Sequence, residues 1–109
     1  MIKLGTLSVS RLDTCHPKLQ RWVRELAARI PRSLDFSVVC GHRGEAEQRA
    51  AFRSKPPASK VDWPDSKHNG LPSRAVDLAP YPIDWNDLPR FARLAGYGQA
   101  VADDLGIRV

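Results

Sequence analysis

The chain has 109 residues, 42% of them hydrophobic and 27% charged. That balance suits one folded domain, residues 1–109, and excludes both an intrinsically disordered chain and a multidomain protein. The formal net charge of +5 favours anionic partners. The basic residues are scattered, however, with no block of five like charges and no nucleic-acid motif, so no specific nucleic-acid partner is expected. No apolar run approaches the length of a membrane span, and Met1–Gly5 lacks the apolar core of a secretion signal. Neither membrane insertion nor export by the general route is therefore expected, and synthesis in a cytoplasm is.

Residues 1–13 carry little periodic signal, with Leu7, Val9 and Leu12 as a short lead-in over the core. Pro17 then suits the first turn of a helix. Leu19, Trp22, Val23, Leu26, Ala27 and Ile30 follow at the spacing of one helical face, which Pro31 ends. Leu34–Cys40 reads as a strand, with Gly41 marking its end or a close backbone approach. Cys40, ending an apolar run, reads as a small buried residue, and both Cys15 and Cys40 are expected as reduced thiols. Glu45–Phe52 forms a short helix. The stretch 54–64 is a loop, since Pro56, Pro57 and Pro64 prevent regular structure. Ala75–Ala79 reads as a buried strand closed by Pro80 and Pro82. From Asp84 to Leu105 an apolar stripe of Leu88, Phe91, Ala92, Ala95, Val101, Ala102 and Leu105 predicts the last long helix. Asp84 or Asn86 is its cap and Gly106 its stop. Ile107–Val109 looks like the start of a further strand.

The chemistry concentrates between Ser66 and Pro82. His68 lies in a turn-rich loop and Asp77 in the apolar run nine positions later. A carboxylate inside such a run costs free energy unless it is neutralised. A metal ion shared with His68 would do so, since imidazole nitrogen and carboxylate oxygen both suit zinc. Pairing of Asp77 with one of the many arginines would do so as well.

The segment Ser66-Lys67-His68, closed by Ala75-Val76-Asp77-Leu78-Ala79-Pro80-Tyr81-Pro82, resembles the zinc-binding segment of the D-alanyl-D-alanine carboxypeptidase superfamily. More narrowly, it resembles the phage endolysins that cut peptidoglycan stem peptides. A second motif is in register with it: Gly41-His42-Arg43, with Gln48 five residues after the arginine. The approach Lys60-Val61-Asp62-Trp63-Pro64-Asp65-Ser66 is also similar to the family's. The resemblance implies an α+β fold, with helices packed on a small, mostly antiparallel sheet of the hedgehog and DD-peptidase type. It implies zinc as cofactor, with His68 and Asp77 as two of its three ligands, and peptidoglycan stem peptides as substrate. Arg43 would be catalytic, holding a carboxylate or oxyanion with its planar fork of donors. Gln48 would orient Arg43 or touch substrate. Ser66 would hydrogen-bond substrate or buttress the loop.

The family's third zinc ligand and general base lie in a later segment, and this sequence has no counterpart to them. The domain is therefore expected to be C-terminally truncated. An open sheet edge would then offer a route to self-association. Two functions remain in view. One is a zinc-dependent cell-wall peptidase, whether endopeptidase or carboxypeptidase. The other is a catalytically incomplete module that binds wall or a partner without cutting.

Overall fold

A computed structural model describes all of residues 1–109. In chain order it contains α1 (Thr6–Leu12), α2 (Pro17–Arg29), β1 (Phe36–Cys40), α3 (Glu45–Arg53), β2 (Asp77–Pro80) and α4 (Leu88–Leu105). Single 3-10 turns occur at Arg32–Leu34 and Lys67–Asn69. The class is α+β, as expected: helices packed on a two-stranded antiparallel sheet.

Helix α2 forms where the periodicity places it. Pro17 occupies its first turn, and the His16 ring accepts the Lys18 N–H as a cap. Its inner face buries Val23, Leu26 and Ala27, and Ile30 follows at its end. They join Leu12, Leu34, Phe36, Val38, Leu94 and Val101 in the core. Burying each large aliphatic chain contributes about 1.5–3 kcal/mol before the entropy of ordering is subtracted. Helix α4 starts later than the sequence suggests. Asp87, not Asp84 or Asn86, caps it by accepting the Arg90 N–H. Gly106 stops it in the left-handed conformation at φ 66°. Gly98 lets α4 approach α2: a Cβ there would lie 3.0 Å from Trp22 Cζ2, and Trp22 Nε1 donates to Gly98 O at 2.8 Å.

Three further expectations change. The lead-in at 6–12 is a helix that packs on β1. Ser8 Oγ accepts the Val38 N–H at 3.0 Å, and Arg11 donates to Val38 O at 3.1 Å. One edge of the sheet is thereby covered. Second, β2 begins at Asp77 instead of Ala75, and Asp77 is exposed at the strand's mouth, not buried in its middle. Pro80 belongs to the strand, opposite Phe36, and the next ladder bond passes from Tyr81 N to Asp35 O at 2.8 Å. Third, Ile107–Val109 has no regular structure and starts no strand.

The strand register decides which side chains meet at the open end of the sheet. Phe36 pairs with Pro80, Ser37 with Ala79 and Val38 with Leu78, but the next partners are Cys40 and Asp77. The irregularity at Val39 is a bulge, a feature that re-aims the side chains beyond it. It sets Cys40 across from Asp77.

Candidate functional site

The mouth of the sheet collects three short segments: the end of β1 with Gly41–Gly44, the 3-10 turn at Lys67–Asn69, and the start of β2. Gly41 is required where β1 leaves the sheet. A Cβ there would meet Arg11 O at 2.4 Å and Thr14 Oγ1 at 2.5 Å. The turn is fixed by a reciprocal cap. Ser66 Oγ accepts the His68 N–H at 3.2 Å, and Asn69 Oδ1 accepts the Ser66 N–H at 3.0 Å. Arg43 N donates to His68 O at 2.7 Å, which ties the two loops together.

His68 is oriented from behind. Its Nδ1 lies 2.7 Å from Gly41 O, so the proton resides on Nδ1 when the ring is neutral. That leaves Nε2 facing Asp77 Oδ2 at 3.4 Å. Arg43 Nη2 lies 3.8 Å from the same Asp77 oxygen and 3.7 Å from Cys40 Sγ. Arg43 itself is held by Gln48, whose Oε1 accepts from Arg43 Nη1 at 3.0 Å and from Asn69 Nδ2 at 3.1 Å. Gln48 Nε2 donates to Ser59 Oγ and to Val61 O. Gln48 has no exposed surface, and every donor and acceptor of its amide is used. The structure thus brings His68, Asp77, Arg43 and Gln48 into one network, with Ser66 capping the turn that carries His68.

The electrostatics follow from these contacts. Asp77, together with Cys40 and the Gly41 carbonyl, raises the His68 pKa to about 10 against the cost of burial. The His68 hydrogen bond in turn holds Asp77 below the usual carboxylate range, with Arg43 adding to it. Cys40 is held below the ordinary thiol value, first by its contact with His68 and then by the charges of His68 and Arg43.

These donors have the chemistry of a metal site. One ligand atom each from Cys40, His68 and Asp77 lies within 4.8 Å of the others. Two ligands on one tetrahedral ion at N and O bond lengths of about 2.0–2.2 Å are about 3.3 Å apart. The 3.4 Å between His68 Nε2 and Asp77 Oδ2 matches that edge, as well as being an ion-pair distance. The Nδ1 bond to Gly41 is the kind of outer contact that fixes a ligand's tautomer. Cys40 is the member of this group that sequence reasoning leaves out, since its setting in the sequence is that of a core residue. His16 and His42 are engaged elsewhere, with the Lys18 N–H and with Gly70 O. A cavity of about 710 Å³ is lined by Leu19, Trp22, Leu26, Val76, Leu78 and Leu94 among others, and by none of Arg43, Gln48, Ser66, His68 or Asp77.

Comparison with known proteins agrees with this picture. The family model of the phage L-alanyl-D-glutamate peptidases matches residues 1–109. The L-alanyl-D-glutamate peptidase of Escherichia phage T5 is 33% identical over 110 residues, covering 98% of this chain and 77% of the phage T5 protein. The crystal structure of the Serratia marcescens L-Ala D-Glu endopeptidase ChiX superposes with a TM-score of 0.75 at 27% identity, covering 97% of this chain and 76% of that one. The chain belongs to the phage L-alanyl-D-glutamate peptidase family.

Proposed function

We propose that the chain is a zinc-dependent peptidoglycan peptidase that hydrolyses the L-Ala–D-Glu bond of the wall's stem peptides. One observation supports this above the others: His68 Nε2 and Asp77 Oδ2 stand at the edge length of a tetrahedral metal site, in a chain of this family. A zinc ion held there would polarise the scissile carbonyl and acidify a water. The protein's own residues do the rest. His68 is kept in one tautomer by Gly41 O, so that Nε2 is the ligating atom. Arg43, fixed through Nη1 by Gln48, presents Nη2 beside Asp77 Oδ2. There it can hold a substrate carboxylate or the charge that develops on the carbonyl oxygen. Gln48 is a positioning residue, since its buried amide has no surface to offer substrate. Ser66 serves through the turn: its cap sets the backbone of His68. The family and its named relatives favour the L-Ala–D-Glu endopeptidase over a D-Ala–D-Ala carboxypeptidase.

A second reading is a module that binds the wall without cutting it. It draws on the remaining carboxylates, because Asp62 and Glu45 both pair with Arg49 and neither joins the cluster around His68. Incubation of the zinc-loaded chain with a stem peptide containing L-Ala–D-Glu separates the two. Peptidase action yields a product with a new D-Glu amino terminus, abolished by chelation and restored by zinc. Saturable binding to the peptide with no such product would overturn the peptidase reading and favour the second.

A further inference from the structure

We infer that Asn69 is a positioning residue of this site, the side chain that sets where the Arg43 fork stands relative to His68. The inference rests on the proposed peptidase reading for the work it gives Arg43 on substrate. Motif spacing singles out Arg43, Gln48, Ser66, His68 and Asp77 and passes over Asn69. Yet Asn69 follows His68 directly, is buried, and engages both loops that meet at the mouth of the sheet. Its Oδ1 accepts the Ser66 N–H at 3.0 Å. Its Nδ2 donates to Arg43 O at 3.0 Å and to Gln48 Oε1 at 3.1 Å.

The orientation of this amide is fixed by groups whose roles cannot change. The Ser66 N–H only donates and Arg43 O only accepts, so Oδ1 and Nδ2 have one consistent assignment. Gln48 is fixed in the same way. Its Nε2 donates to Val61 O at 2.7 Å, which turns Oε1 toward Asn69 Nδ2 and Arg43 Nη1. Arg43 is thereby clamped at both ends by one unit: its carbonyl by Asn69, and its guanidinium by the Gln48 oxygen that Asn69 shares. Its own N–H donates to His68 O at 2.7 Å. The fork that stands 3.8 Å from Asp77 Oδ2 is therefore placed from the turn that carries His68. A group that meets a substrate carboxylate or oxyanion must be held to within about 0.5 Å. A guanidinium on a long, flexible chain meets that tolerance only when its rotamers are locked by such partners.

Asn69→Asp separates positioning from folding. One carboxylate oxygen still accepts the Ser66 N–H, but the other faces Arg43 O and Gln48 Oε1 with no hydrogen between them. On the zinc-loaded full chain with an L-Ala–D-Glu stem peptide, the variant should keep the parent's zinc content. Its kcat/KM should fall by about 10- to 100-fold, the usual loss when a partner that orients a site is removed. In the Arg43→Ala background the same substitution should change kcat/KM by less than about twofold, since Asn69 acts through Arg43. No loss in the parent background, the same loss in both, or zinc lost from the variant would overturn the inference. A second measurement needs no turnover. Nitrogen-15 spectra of the metal-free parent should show slowly exchanging side-chain amide protons on Asn69 and an Arg43 guanidinium held from rotating, and Asn69→Asp should free that guanidinium. Rapid exchange at Asn69 in the parent, or an Arg43 signal alike in both chains, would overturn the role of Asn69. Absence of peptide cleavage by the parent would overturn the peptidase reading alone, and the spectra would then decide the role of Asn69.

Discussion

His68 presents its two ring nitrogens to two different partners: Nδ1 to Gly41 O at 2.7 Å and Nε2 to Asp77 Oδ2 at 3.4 Å. The first contact is to the backbone. The second is one that an ion can replace. Without metal, His68 and Asp77 form an ion pair, with His68 raised to about 10 and Asp77 lowered. The metal must therefore displace a proton from His68. Affinity for zinc should rise by about tenfold per pH unit through the neutral range, with at least one proton released per ion. Calorimetry in buffers of different ionisation enthalpy measures the release. An affinity independent of pH there would contradict the ion pair.

The same pair sets the stability of the metal-free chain. The folded pKa of His68 exceeds its ordinary 6.5, so its contribution is complete below 6.5 and is lost as pH rises through about 10. The folded pKa of Asp77 lies below its ordinary 3.8, so its contribution is present above 3.8 and is lost as pH falls through the lowered value. Thermal unfolding of the metal-free chain should show this window between 3.8 and 6.5, and Asp77→Asn should remove it.

Arg43→Ala should leave zinc content unchanged and lower turnover of an L-Ala–D-Glu peptide by about 100- to 1,000-fold, the usual loss of one oxyanion donor. Arg43→Lys should recover little, because an ammonium cannot bond Gln48 Oε1 and reach Asp77 with the same planar fork. Recovery of full turnover by lysine would show that only charge is needed.

Gln48→Leu removes an amide that satisfies Arg43, Asn69, Ser59 and Val61 at once. Each buried partner left unpaired costs about 1–3 kcal/mol, so denaturant unfolding should show a large loss of stability. Turnover should fall as well, since Arg43 loses its anchor. A variant as stable as the parent would contradict the buried hub.

Gly41→Ala places a methyl group 2.4 Å from Arg11 O. Backbone must shift, at a cost of about 1–3 kcal/mol or more. Because Gly41 O holds His68, the variant should also bind zinc more weakly than the parent, measured on the fraction still folded.

Much of the fold is legible in the residues, and the exceptions have physical reasons. Helix α2 is plain from Leu19, Trp22, Val23 and Leu26, because a long apolar face repeats often enough to identify its period. Helix α1 is not: only Ser8 and Leu12 of its residues are buried, and Leu7 is exposed, so there is no stripe to read. Its place depends on bonding Val38, a contact between residues 30 apart. His68, Asp77, Arg43 and Gln48 emerge from motif spacing. The sequence pattern places Asp77 too deep, because Ala75 and Val76 extend the apolar run beyond the hydrogen-bonded strand. Cys40 reads as core because a cysteine at the end of an apolar run has that composition. Only the bulge, a property of strand pairing, turns it toward Asp77.

Whether His68 and Asp77 together hold a metal is decided by zinc stoichiometry. Equilibrium dialysis of the purified chain, beside His68→Ala and Asp77→Ala, should give one tightly held zinc per chain that is lost in both variants. Failure of the parent chain to hold zinc, or zinc retained by either variant, would contradict the site.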